Sequence, residues 1–105
     1  MDQAFMQIKN SVKRWLDNVV STCPHIMINV IIDNNEILRV AFESERCMAE
    51  VLVNSASFAP YRYVKMEILS LTSEHPIPIY TWYDSEEDDD KKIIKGLQTG
   101  LNLLN

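Results

Sequence analysis

The hydrophobic period changes twice along this chain, and that switch limits its architecture more than any other feature of its 105 residues. Phe5, Ile8, Val12, Trp15, Leu16 and Val19 recur at helical spacing, while Gln7, Lys9, Asn10, Lys13, Arg14 and Asp17 fill the other side. The spacing predicts an amphipathic helix over residues 2–20. Pro24 fixes its own φ and pushes Cys23 towards extended backbone, so the helix must end near Ser21. The period then falls to two. Ile26, Ile28, Val30 and Ile32 alternate with Met27, Asn29, Ile31 and Asp33, which describes a strand with one strongly apolar face. Helical spacing returns only after Ser85, where Ile93, Ile94, Leu97, Leu101 and Leu104 form a stripe.

Between these helices the polar breaks set the strand count. Asp33-Asn34-Asn35 suits a tight hairpin, because Asn and Asp tolerate positive φ and bond their own backbone; Leu38, Val40 and Phe42 then lie in the returning strand. Glu43-Ser44-Glu45-Arg46 is a second break, followed by Cys47 to Val53 with Ala49, Val51 and Val53 on one side. After a small-residue loop from Asn54 to Pro60, Tyr61 to Leu71 reads as a fourth strand, with Val64, Met66 and Ile68 opposite Tyr63, Lys65 and Glu67. Pro76 and Pro78 cannot sit in a central strand, so Ile79 to Tyr83 is expected in an edge strand or in a strand that pairs only after Pro78. Consecutive strands on short loops pair as antiparallel neighbours. The expectation is one α+β domain over residues 1–105: an antiparallel meander of about five strands, with the N-terminal and C-terminal helices packed on one face.

Composition and motifs remove several function classes. Fifteen acids against ten bases give a formal charge of -5, which opposes direct binding to a phosphate backbone. Gly96 and Gly100 both fall inside the last helix, so no glycine-rich loop can cradle a nucleotide; their four-residue spacing predicts close packing of that helix on its neighbours. Neither His25 nor His75 has a second ligand at metal-binding spacing, so no metal or other cofactor is expected. Cys23 and Cys47 are too few and too far apart for a disulfide scaffold or a CxxC site; Cys47 reads as a small core residue, although a Cys-His pair can assemble in space. The opening residues MDQAFMQIKNSVKRW lack the apolar core of an export signal, and apolar runs such as Val30 to Ile32 fall far short of the roughly 20 residues that cross a bilayer. Cytoplasmic location with free thiols and no membrane contact is the expectation. No catalytic constellation is legible, and a binding protein is expected rather than an enzyme.

Two features suggest a protein partner. Asp84-Ser85-Glu86-Glu87-Asp88-Asp89-Asp90 holds six acids in seven residues. Ser85 and Asp88 match a capping box at the start of the last helix, but a cap uses one or two acids, leaving the others for solubility or a basic partner. Tyr61, Tyr63, Tyr80, Trp82 and Tyr83 fall in the last two strands, beside Glu67 and Asp84. They fit either an aromatic ladder over the core or a partner-binding face, since Tyr and Trp supply rigid contact area at small entropic cost.

Taken together, the WLDN-like helix end, the segment IDNNEILRVAFESERCMAEVLV, the segment VKMEILSLTSEHPIPIYTWYDS and the final LxxL-type helix resemble the TriTu-type immunity proteins of bacterial contact-dependent growth inhibition systems. The likeness spans nearly the full length and is clearest at Trp15-Leu16, at Asp33 to Glu50, and from KMEILSL through the last helix. Where a Trp and a Gly-containing turn would follow the third strand, this chain has Asn54-Ser55-Ala56-Ser57-Phe58. The resemblance implies a cytoplasmic antidote that binds the C-terminal tRNA-cleaving nuclease domain of a cognate toxin, in an assembly that can include elongation factor Tu through the toxin. An acidic inhibitor would compete for the basic surface that holds RNA. Two candidate faces follow: Glu43, Glu45 and Glu50, or the patch of Tyr61, Tyr63, Tyr80, Trp82, Asp84, Glu86, Glu87, Asp88 and Asp89. An acidic chaperone for a type III secreted effector is the alternative, although such chaperones insert a helix among their strands and no helical period occurs between Pro24 and Tyr83.

Overall fold

A computed structural model describes residues 3–55, 63–85 and 87–104. Helix α1 (Gln3–Thr22) leads into strands β1 (Met27–Asp33), β2 (Ile37–Glu43), β3 (Cys47–Asn54), β4 (Val64–Ser70) and β5 (Ile77–Tyr83). Helix α2 (Asp90–Leu101) follows and ends in one 3-10 turn, Asn102–Leu104. The five strands form one antiparallel sheet in the order β1-β2-β3-β4-β5. Among the described residues no helix is long and apolar enough to cross a membrane.

Both helices cover the same sheet face, because that face carries the apolar alternation. Leu38, Val40 and Phe42 of β2, Ala49, Val51 and Val53 of β3, and Val64, Met66 and Ile68 of β4 are buried there against Phe5, Val12, Trp15 and Val19 of α1 and Ile93, Leu97 and Leu101 of α2. Side-chain hydrogen bonds join the helices: Trp15 Nε1 donates to Gln98 Oε1 at 2.9 Å, and Ser11 Oγ to Asp90 Oδ2 at 2.7 Å. The glycines of α2 serve close approach. A Cβ on Gly96 would lie 2.4 Å from Trp82 Cε2, and one on Gly100 would lie 2.6 Å from Met66 Sδ.

Three local readings are corrected. A bulge at Ile31 shifts the β1 register, so that Ile32 pairs with Arg39 and Asp33 with Leu38. Ile32 therefore leaves the helix-covered face, and Asp33 takes its place beneath α1, where Lys9 and Lys13 reach it at 2.7 and 2.8 Å. Tyr63 precedes β4 instead of lying on its solvent side, and its buried ring meets Phe5 edge-on at 6.1 Å. The last helix begins at Asp90, not at Ser85: Ser85 and Asp88 close a turn of their own, while Asp89 is the N-cap and accepts from Lys92 N at 2.9 Å. Tyr61 lies outside the described residues, and β5 starts at Ile77, with a bulge between its pairings to Ile68 and Leu69.

The Asp33 ion pairs give the fold a pH dependence. Hydrogen bonds from Lys13 and then Lys9 hold the Asp33 carboxyl below its ordinary pKa of 3.8. A depressed carboxylate pKa contributes stability above the unfolded value, and that contribution fades as pH falls through the folded one. Asp33→Asn is thus expected to be less stable than wild type at pH 7. In urea titrations the gap should close as pH drops below about 4; a gap that persists at pH 2 would assign it to another cause.

Candidate functional site

With α1 and α2 on one side, the opposite face of the sheet is left to solvent among the described residues. Register decides which side chains stand there. One cross-strand row runs Asn29, Ala41, Glu50, Glu67, Thr81; a neighbouring row runs Met27, Glu43, Met48, Leu69, Pro78. Glu43, Glu50 and Glu67 thereby surround Ala41, Met48 and Leu69 in the half of the face nearest the β2–β3 turn. Met48 is 43% exposed there, and a hollow of about 200 Å³ opens between Met48, Glu50, Leu52, Lys65, Glu67 and Leu69. That volume is below the range for a drug-sized ligand and matches single side chains of a protein partner.

Electrostatics make this half unusual. Glu50 and Glu67 are direct cross-strand partners, an arrangement in which like charges repel. Arg39 Nη2 relieves Glu50 at 2.8 Å, and this pairing with Glu50 raises the guanidinium pKa. Among the described residues no base lies within ion-pair distance of Glu67. Glu45 stands exposed in the adjoining turn. The first candidate group, Glu43, Glu45 and Glu50, is therefore brought together at one end of the sheet. Glu67 joins it through the β3–β4 register, and its alternation with Lys65 was the only sequence signal for its solvent-facing position.

The second candidate group does not form one surface. Tyr63 is buried, Tyr80 and Trp82 are half-buried under α2, and Tyr80 Oη donates to the Gly96 carbonyl at 2.8 Å. Burial raises the pKa of the Tyr80 phenol. Asp84 is 1% exposed and accepts from the backbone N–H groups of Tyr63 and Val64, both at 2.8 Å. Asp88 and Asp89 hold the turn and the helix cap, and Asp90 ties α2 to Ser11. Glu87 is exposed; Tyr61 and Glu86 lie outside the described residues. Asp84, Asp88 and Asp89 thus satisfy backbone donors at a chain reversal and a helix start. The run also sits at the other end of the sheet from Glu43 and Glu45, a seven-residue strand away, or roughly 20 Å.

A cleft of about 510 Å³ at the β2–β3 end brings Cys47 and His25 to the same wall, with Arg46, Ser70 and Leu103. Cys47 is 6% exposed and directs the weak hydrogen bond of its thiol to the Leu103 carbonyl at 3.9 Å, as expected for a small core residue. Among the described residues no three His, Cys, Asp or Glu side chains are placed to hold a metal ion. Comparison of the chain with family models, with curated proteins and with solved structures found no match.

Proposed function

We propose that this chain is an immunity-type inhibitor that docks the basic nuclease domain of a toxin against the open face of its sheet. The observation that carries the reading is the acidic and apolar half of that face, Glu43, Glu50 and Glu67 around Met48 and Leu69, which neither helix covers. A nuclease must be basic to hold RNA, so a chain of charge -5 attracts it at long range. The apolar floor then supplies the desolvated contact that slows dissociation. A standard interface takes about 800 Å² from each partner, more than one half-face presents, so the contact extends over the adjoining Glu45 turn and the rest of the open face. Elongation factor Tu enters such an assembly through the toxin, and the antidote needs no contact with RNA.

The test is capture from native-host lysate with tagged protein, followed by assay of the recovered partner for ribonuclease activity. Wild type should retain a basic nuclease and inhibit it at one-to-one stoichiometry, with affinity falling as salt rises. The triple variant Glu43→Gln, Glu50→Gln, Glu67→Gln should bind at least tenfold more weakly with a flatter salt dependence, whereas Glu87→Gln should match wild type. Binding unaffected by the triple variant, or lost in Glu87→Gln, would move the interface elsewhere. Recovery of an intact secreted effector without nuclease activity would favour the chaperone alternative.

A further inference from the structure

Strand β1 closes one side of the sheet, and among the described residues nothing pairs with its outer edge. Edge strands in natural proteins are blunted by Lys, by Pro or by a bulge. The far edge uses Pro78 and a bulge, and α2 packs over β5. Strand β1 has only the bulge at Ile31. From Met27 to Ile32 it contains no charge, no Pro and no Gly, and three of its apolar residues stand open: Met27 at 72%, Val30 at 53% and Ile31 at 45%.

The strand is also complementary to itself. An antiparallel pair related by a two-fold axis perpendicular to the sheet keeps each face on its own side, so up to the bulge at Ile31 only residues of equal parity can meet. With the axis through Asn29, Ile28 faces Val30 of the second copy on the helix-covered side, and Met27 comes opposite the exposed bulge residue Ile31. The two Asn29 amides stand opposite each other and can exchange hydrogen bonds. No charge meets a like charge, although each chain carries -5 overall. We infer that β1 is the pairing edge of a homodimer, joining two meanders into one ten-stranded sheet. The inference does not rest on the nuclease reading. An edge pair of at most seven residues lies at the low end of interface size, below about 1,200 Å² in total, the class of weak and transient contacts. Repulsion between two acidic chains opposes it, so added salt strengthens this contact while weakening the docking of a basic partner.

Sedimentation velocity on the full chain, from about 1 µM to about 1 mM and at about 0.05 and 0.5 M NaCl, reads the outcome directly. Wild type should pass from 12.2 kDa to twice that mass, at lower concentration in high salt. Asn29→Lys places two ammonium groups opposite each other on the axis, and Val30→Lys removes an apolar contact. Each should raise the dimer Kd at least tenfold. Both positions are exposed, so circular dichroism should show an unchanged fold. A wild type that stays at 12.2 kDa throughout would overturn the proposal, as would a dimer that both variants leave intact. Amide protection of residues 27–31 that arises only on addition of a basic partner would also overturn it, by giving the edge to a foreign strand.

Discussion

Asp84→Ala is expected to lower unfolding free energy by about 3 kcal/mol, a large part of the roughly 5–15 kcal/mol available to a domain of this kind. The carboxylate is buried where β5 ends, and it accepts from the amides of Tyr63 and Val64 at 2.8 Å each. Asp84 N in turn donates to the Val64 carbonyl at 3.1 Å, so the residue closes the β4–β5 ladder from both sides. Truncation leaves two buried donors without this acceptor, and an unsatisfied buried group costs about 1–3 kcal/mol. Asp84→Asn keeps one acceptor oxygen and should lose half as much or less. Urea unfolding of both variants is the measurement. A loss below about 1 kcal/mol in Asp84→Ala would mean that water replaces the carboxylate. The Glu50→Gln variant, altered on the open face, should stay within about 0.5 kcal/mol of wild type, which separates structural from exposed acids.

Gly96→Ala is the second large effect, and its sign is opposite to helix propensity. Alanine in a helix interior gains about 1 kcal/mol over glycine. Here the new methyl would stand 2.4 Å from Trp82 Cε2 and 2.7 Å from Cζ2 and Nε1, so the indole or the helix must shift. Overpacking of this kind costs about 1–3 kcal/mol, and displacement of α2 would also strain the Tyr80 hydrogen bond to the Gly96 carbonyl. Net destabilisation of about 1–2 kcal/mol is expected. Trp82→Leu removes the obstructing ring, so the pair Gly96→Ala with Trp82→Leu should be more stable than the sum of the single effects, with a coupling of at least about 1 kcal/mol. Additivity in that cycle would show that the helix and β5 do not meet through these residues.

These expectations bear on function because α2 and the Asp84 turn hold β4 and β5 in register. Glu67 stands beside Glu50 only while β4 keeps its pairing with β3. Loss of partner affinity in Asp84→Ala would therefore report lost structure, whereas loss in the Glu43, Glu50, Glu67 variant would report the docking face.

Legibility along the chain followed the range of the physics. The core stripe of α1 and the buried positions of β2, β3 and β4 were readable residue by residue, because burial of one face imposes a period that local sequence must carry. The meander was readable because short polar breaks allow little except antiparallel neighbours. The close packing predicted at Gly96 and Gly100 was readable for a similar reason: glycine inside a helix has few other uses. Ile32 and Asp33 were not readable, since a bulge is set by cross-strand fit and by the lysines waiting on α1. The tyrosines and the acidic run were ambiguous, because an aromatic or a carboxylate has the same composition in a core, a cap or an interface.

What this sequence determined by itself was the order of elements and the buried side of β2, β3 and β4, since both follow from local period and from where prolines and polar turns interrupt it. Tertiary structure alone decided which acids face outward together. Glu43, Glu50 and Glu67 come from three strands, and only hydrogen-bonded register brings them into one half of a face. In the acidic run from Asp84 to Asp90, the strongest feature in the linear sequence, Asp84, Asp88 and Asp89 are instead drawn onto the backbone, because a chain reversal and a helix start leave N–H groups that those carboxylates satisfy.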